Sequence, residues 1–197
     1  MKILAIADTE VRELIDGTID PGVVRGVELV LSCGDLPPEY LSAVGKRLGV
    51  PVFYILGNHD IRYAVAAPEG CLHIHRQLVS FHGVRLLGLG GSRWYNGGIS
   101  QYREQQMRSY IRRLWLTLWL RRGVDIVLTH APPRWCGDAE DPCHRGFRCF
   151  RSLIARHRPG YLLHGHIHTL FSSPEERVSW LGTTQIVNCY GYYVFQI

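Results

Sequence analysis

Five short apolar runs in this chain each end in residues that can bind a metal ion or move a proton. Ile3 to Ala7 leads into Asp8, and Leu29 to Cys33 leads into Gly34-Asp35. Val52 to Leu56 leads into Gly57-Asn58-His59-Asp60. Asp125 to Thr129 leads into His130, and Tyr161 to Leu163 leads into His164-Gly165-His166-Ile167-His168. Runs of four to six residues rich in Val, Ile and Leu read as strands covered on both faces. In sheets flanked by helices, ligands gather beyond the carboxyl ends of the strands. One GNHD tetrapeptide reads equally well as a polar turn. Five runs delivering acid, amide and imidazole groups at the same end read as one shared site.

The segments between these runs have helical periodicity. Pro38 to Leu48 places Leu41, Val44 and Leu48 on one face, with Gly49 as its stop before Pro51. A longer helix is expected from about Gln101 to Arg122, with Ser100 as N-cap and Gly123 as terminator. Its apolar face would be Met107, Ile111, Leu114, Trp115 and Leu118, and core packing is the expected role of its tryptophan. Val84 to Gly90, Val178 to Leu181, Thr184 to Asn188 and Tyr192 to Ile197 read as further strands. With no repeat, linker or low-complexity stretch, one domain over residues 1–197 is expected. Two irregular segments are candidates for function, Gly90 to Gly98 and Ala131 to Arg148.

Hydrophobic residues make up 46% of the chain and charged residues 20%, an ordinary balance for a soluble globular protein. No apolar run approaches the length of a signal-peptide core or a membrane span, so a cytoplasmic protein without membrane contact is expected. The six cysteines form no C-x-x-C pair, and free thiols in a reducing compartment are the expected reading. Cys136, Cys143, Cys149 and His144 leave a structural zinc as the other reading. Net charge is +5, from twenty arginines and two lysines against seventeen acids. The arginines are scattered, so charge alone does not decide whether nucleic acid is a partner.

Collected in order, the polar ends are Asp8-Thr9-Glu10, Gly34-Asp35, Gly57-Asn58-His59-Asp60, His130 and Gly165-His166-Ile167-His168. The set resembles the calcineurin-like metallophosphoesterase family, whose pattern is D-x-H, G-D, G-N-H-D/E, a later H, and G-H-x-H. The resemblance spans residues 8 to 168, and it implies an α/β fold, a four-layer αββα sandwich of two mixed sheets. It also implies a pair of divalent ions, manganese first, with iron, zinc or magnesium as alternatives. Asp35 would bridge them, Asp8 and His168 would hold one, and Asn58, His130 and His166 the other. His59 would contact the phosphate and help the leaving group depart, and Asn58 would lie against the same phosphate. Asp60 would either orient His59 or cap local backbone.

This sequence departs from the family pattern at Glu10, which stands where the family has histidine. Glutamate can ligate the metal that Asp8 holds, favouring harder ions. Alternatively it points to solvent beside Arg12. Arg93 or Tyr95, in the glycine-flanked loop, would meet the substrate, unless Arg93 simply stacks on Trp94. His144 also stands out, following Asp138 and Asp141 in the loop after His130.

The implied activity is metal-dependent hydrolysis of a small phosphate ester, by in-line attack of a hydroxide held between the metals. A chain of 197 residues without an obvious cap domain resembles the small bacterial phosphodiesterase-type members. Phosphomonoesterase activity at the same site is the nearest alternative. A non-catalytic scaffold is a second class and a nuclease a third, the last disfavoured by the missing basic tract. Oligomeric state is not legible.

Overall fold

Alternation of inward and outward side chains along the apolar runs decides how the layers stack. The computed structural model describes Met1–Ile197. In chain order the elements are β1 (Lys2–Ala7), α1 (Glu13–Asp16), α2 (Pro21–Val24), β2 (Val27–Ser32), α3 (Pro38–Leu48) and β3 (Val52–Tyr54). Then come β4 (Cys71–His73), β5 (Leu78–Phe81), β6 (Val84–Leu89), β7 (Ser92–Arg93), β8 (Gln101–Tyr102), α4 (Glu104–Arg113) and α5 (Trp115–Leu120). The chain ends with β9 (Ile126–Thr129), α6 (Arg148–His157), β10 (Tyr161–His164), β11 (Val178–Leu181), β12 (Thr184–Asn188) and β13 (Gly191–Gln196).

One sheet runs β13-β1-β2-β3-β4, parallel except for β13. The other runs β11-β12-β10-β9-β6-β5, with antiparallel strands only at its two edges. Successive side chains in a strand point to opposite faces. Ile3, Ala5, Leu29 and Leu31 therefore meet Leu86, Ile126, Leu128 and Leu163 between the sheets. Leu4, Ile6 and Val30 turn outward onto Leu14, Leu41 and Val44 of α1 and α3. On the far side Leu87, Val127 and Leu162 pack against Met107, Leu118, Phe150 and Leu153. Helices, sheet, sheet and helices make the expected four-layer sandwich of two mixed sheets.

Two local expectations need correction. The helix expected from Gln101 to Arg122 is two helices, α4 and α5, which meet at Leu114. Leu114 N–H donates to Ile111 carbonyl, an i to i−3 bond that tightens the last turn of α4 and breaks its register. Gln101 and Tyr102 pair with Ser92 and Arg93 as strand, and Gln106 Oε1 accepts the Arg103 amide at the real helix start. Ser100 lies before that strand and caps nothing. Beyond the break Trp115 is 57% exposed, so it is not core.

The strand expected through Leu56 ends at Tyr54, because the next residues serve both sheets. Ile55 N–H still donates to Ser32 carbonyl, but Leu56 carbonyl accepts from Gly91 N–H at 2.7 Å. That bond ties the GNHD turn of the first sheet to the glycine turn following β6 in the second.

Candidate metal centre

Asp8, Asp35 and His166 all follow strand ends, and all three have left-handed φ, 65°, 57° and 69°. Apart from glycine, asparagine, aspartate and histidine are the residues that adopt this conformation most readily. Here it turns each side chain back over the strand ends. Neighbouring glycines make the space. A Cβ on Gly57 would lie 2.1 Å from Asp35 Oδ1, and one on Gly165 would lie 2.5 Å from Asp8 Oδ2. The glycines of the GN and GH pairs are therefore demanded by the carboxylates packed on them.

His130 is fully buried at the end of β9. Its Nδ1 lies 2.8 Å from Cys33 carbonyl, an acceptor, so Nδ1 carries a proton. Nε2 then faces Asn58 Oδ1 at 3.1 Å and Asp35 Oδ2 at 3.2 Å. Burial disfavours charge on His130, yet Asp35 outweighs it and raises the ring's pKa in the protein alone. Burial would also raise Asp35, but His130 and the amide of His59 bring it down to about 2.

His166 shows the complementary arrangement. Its Nε2 lies 2.8 Å from Cys143 carbonyl, which leaves Nδ1 as the free nitrogen. Burial, with His130 nearby, lowers its pKa to about 3, so the ring is neutral with a lone pair available. The donor atoms of Asp35, His130 and His166 lie within 4.8 Å of one another. Two imidazoles with tautomers locked by carbonyls, one carboxylate and one amide oxygen suit a divalent cation. The donor set fits.

Asp8 stands beside this cluster. Its side chain is inaccessible, and both carboxylate oxygens accept the His166 amide, at 2.9 and 3.0 Å. His168 Nε2 lies 3.7 Å from Asp8 Oδ1, and that carboxylate raises the ring's pKa. The two histidines of the GHIH turn thus serve different neighbours.

Glu10 is expected to join Asp8, and its side chain is exposed in the structure. Like Asp8 and His168, it lies outside the cluster of Asp35, His130 and His166, and it forms no ion pair with Arg12. The chain leaves the turn at Asp8 toward Tyr40, whose hydroxyl accepts the Val11 amide at 3.0 Å. Burial raises the Tyr40 pKa, and the negative charge of Glu10 adds to the rise. We therefore expect Glu10→Gln to leave metal stoichiometry and turnover within about twofold of wild type, as for surface changes generally. Metal analysis showing one ion fewer would return Glu10 to the ligand set.

Asp60 takes the second of its two expected roles. Oδ2 accepts the amides of Gly57 at 2.7 Å and Asp35 at 2.8 Å, stapling the GD turn to the GNHD turn. Burial first, and the neighbouring Asp35 charge, raise its pKa to about 6. The imidazole of His59 is exposed and unpaired, while its backbone amide donates to Asp35 Oδ1 at 2.8 Å. Beside it opens a hollow of about 160 Å³, lined by Asp35, Pro37, Asp60, Arg62 and Tyr63 among others. Tyr95 reaches the centre from the opposite loop, where its hydroxyl accepts from Asn58 Nδ2 at 3.3 Å. Arg93 is half-buried and has no carboxylate partner, and the guanidinium over Trp94 belongs to Arg103 instead.

Sequence reasoning missed the carbonyls of Cys33 and Cys143, because backbone groups carry no residue signature. His144, singled out by its position, does lie at the centre, with its ring 5.1 Å from that of His166. Asp141 holds its Nδ1 at 3.0 Å. Cys143 joins these two in a second cluster of donor atoms. All six cysteines are free thiols, and Cys136 and Cys149 lie outside that second cluster.

The fold has solved relatives. One protein structure aligns over 98% of this chain and 93% of its own, with a TM-score of 0.69 and 19% identity. The protein TT1561 of Thermus thermophilus aligns over 96% of this chain and 89% of its own, with a TM-score of 0.65 and 16% identity. At such identities the likeness concerns the fold. No curated protein sequence matches. The sequence model described as calcineurin-like phosphoesterase matches residues 1–170. That span holds every strand end that builds the centre, and the chain belongs to the calcineurin-like phosphoesterase family.

Proposed function

We propose that this chain is a metal-dependent phosphodiesterase acting on a small diester. The observation that carries the reading is the environment of His130 Nε2, faced at 3.1 and 3.2 Å by two oxygens with its other nitrogen already committed. Two acceptor oxygens around one ring nitrogen are satisfied together by a cation at their common centre. Asp35, Asn58, His130 and His166 would hold one ion. Asp8 and His168 would hold a second, with Asp35 between the two. Divalent ions bound there supply an activated water and neutralise charge on the phosphoryl group. The mixed nitrogen and oxygen donors suit manganese first, with iron, zinc or magnesium as alternatives.

The chain's own residues do the rest. His59, exposed beside Asp35 in the same hollow, would give a proton to the leaving oxygen. Arg93 and Tyr95 would bind non-bridging phosphate oxygens, where the unpaired guanidinium offers a bidentate fork. The hollow beside His59 would receive one ester arm, and the loop carrying Arg93 and Tyr95 would border the other. Two open sides favour a diester over a monoester, whose terminal dianion is better served by enclosure.

Manganese-loaded protein should therefore hydrolyse bis-p-nitrophenyl phosphate with higher kcat/KM than p-nitrophenyl phosphate. Equal or reversed values would overturn the diester preference. Absence of turnover on both, with two ions bound, would favour the scaffold reading.

A further inference from the structure

Four apolar side chains on the short helix α5 face solvent. Trp115, Leu116, Trp119 and Leu120 are 57%, 47%, 68% and 64% exposed, and in this helix only Leu118 is buried. Exposed apolar residues are normally scattered singly, and a cluster of this size marks a contact surface. Its flanks are cationic. Residues 104 to 122 include five arginines and a single acid, Glu104. Glu104 is occupied at the start of α6, where it accepts the amides of Arg148 and Cys149 at 3.0 and 2.7 Å. Arg112, Arg113, Arg121 and Arg122 are exposed, and none has a carboxylate partner. Between α4, α5 and α6 lies a hollow of about 420 Å³, floored by Ile111, Trp115 and Leu153 and walled by Arg108, Arg112 and Arg156.

We propose that α5 and its flanking arginines seat this protein on an anionic lipid bilayer. Indoles and leucines on one side with arginines at the margins match the acyl boundary and the negative headgroups of such a surface. The arginine-walled, apolar-floored hollow suits a phosphate head with its adjoining chain. A second copy of the chain would bring like-charged arginines face to face, which disfavours that occupant. Nucleic acid would take the arginines but bury little of Leu116 and Leu120. No helix is long and apolar enough to cross a membrane, so contact is at the surface.

The fold also fixes the orientation. Arg85, at the start of β6, donates Nη1 to the carbonyls of Arg121 and Arg122 at 2.9 and 2.5 Å. The end of α5 therefore lies at the amino ends of β6 and β9, opposite the carboxyl end that carries His130. A docked protein would hold its metal centre away from the lipid, toward soluble substrate.

Cosedimentation of the full chain with vesicles tests this. Wild type should pellet with equal parts phosphatidylglycerol and phosphatidylcholine, release on adding salt, and stay in solution with phosphatidylcholine alone. Trp119→Ser with Leu120→Ser should weaken binding about tenfold or more. Arg121→Gln with Arg122→Gln should weaken it roughly 30-fold. Both variants alter exposed side chains only, so circular dichroism and thermal unfolding should match wild type. No pelleting with anionic vesicles, or pelleting undiminished in both variants, would overturn the proposal. So would vesicles left unbound while the same substitutions abolish a dimer or a DNA gel shift. These readouts are independent of phosphodiesterase activity, so either reading can fail without the other.

Discussion

Asp35→Asn is expected to reduce turnover to background and to release at least one metal ion. Asp35 is the one carboxylate that reaches His130, at 3.2 Å, while its other oxygen accepts the His59 amide. Two divalent cations roughly 4 Å apart repel by about 17 kcal/mol at an effective dielectric of 20. A negative charge between them is what offsets that cost. Asparagine keeps the acceptor for the His59 amide and nearly the same volume, so the turn persists while the charge disappears. Metal content after dialysis, measured alongside circular dichroism, separates these effects. A folded variant with two ions and full activity would refute the bridging role of Asp35.

The layers of this fold were legible because β1, β2, β3, β9 and β10 are apolar runs with both faces covered, which sequence displays directly. Helix α3 was legible to its ends, since Pro38 starts it and Gly49, at φ 67°, stops it. The break at Leu114 was not. The apolar spacing from Met107 to Leu118 continues through it, and one i to i−3 backbone bond leaves no trace in residue type. Trp115 stands just beyond that break, and it is 57% exposed.

At the centre, side-chain chemistry was legible and its backbone support was not. GD, GNHD and GHIH name the donors, whereas the carbonyls that set the tautomers of His130 and His166 come from Cys33 and Cys143. Cys143 is distant in sequence from both. The destination of Glu10 was also hidden. The next residue, Val11, donates its amide to the hydroxyl of Tyr40, twenty-nine residues away.

His59→Ala is expected to leave metal content near wild type while lowering kcat by roughly 10²–10⁴-fold, the usual size of a general acid contribution. The two halves of this expectation come from different atoms of one residue. The His59 backbone amide donates to Asp35 Oδ1 at 2.8 Å and helps hold the carboxylate that would bridge the metals. Alanine retains that amide. The neighbouring turn is fixed independently, by the amides of Gly57 and Asp35 on Asp60. The imidazole itself is exposed, with no partner in the protein, so truncation removes only what it offers to substrate. If that is a proton for the leaving oxygen, the deficit should shrink for good leaving groups. p-Nitrophenolate needs little protonation, whereas an alkyl alkoxide cannot depart without it. The variant should thus lose more on an alkyl diester than on bis-p-nitrophenyl phosphate. An equal loss on both would leave His59 as a binder of phosphate oxygens and not an acid, and loss of a metal would make it a ligand.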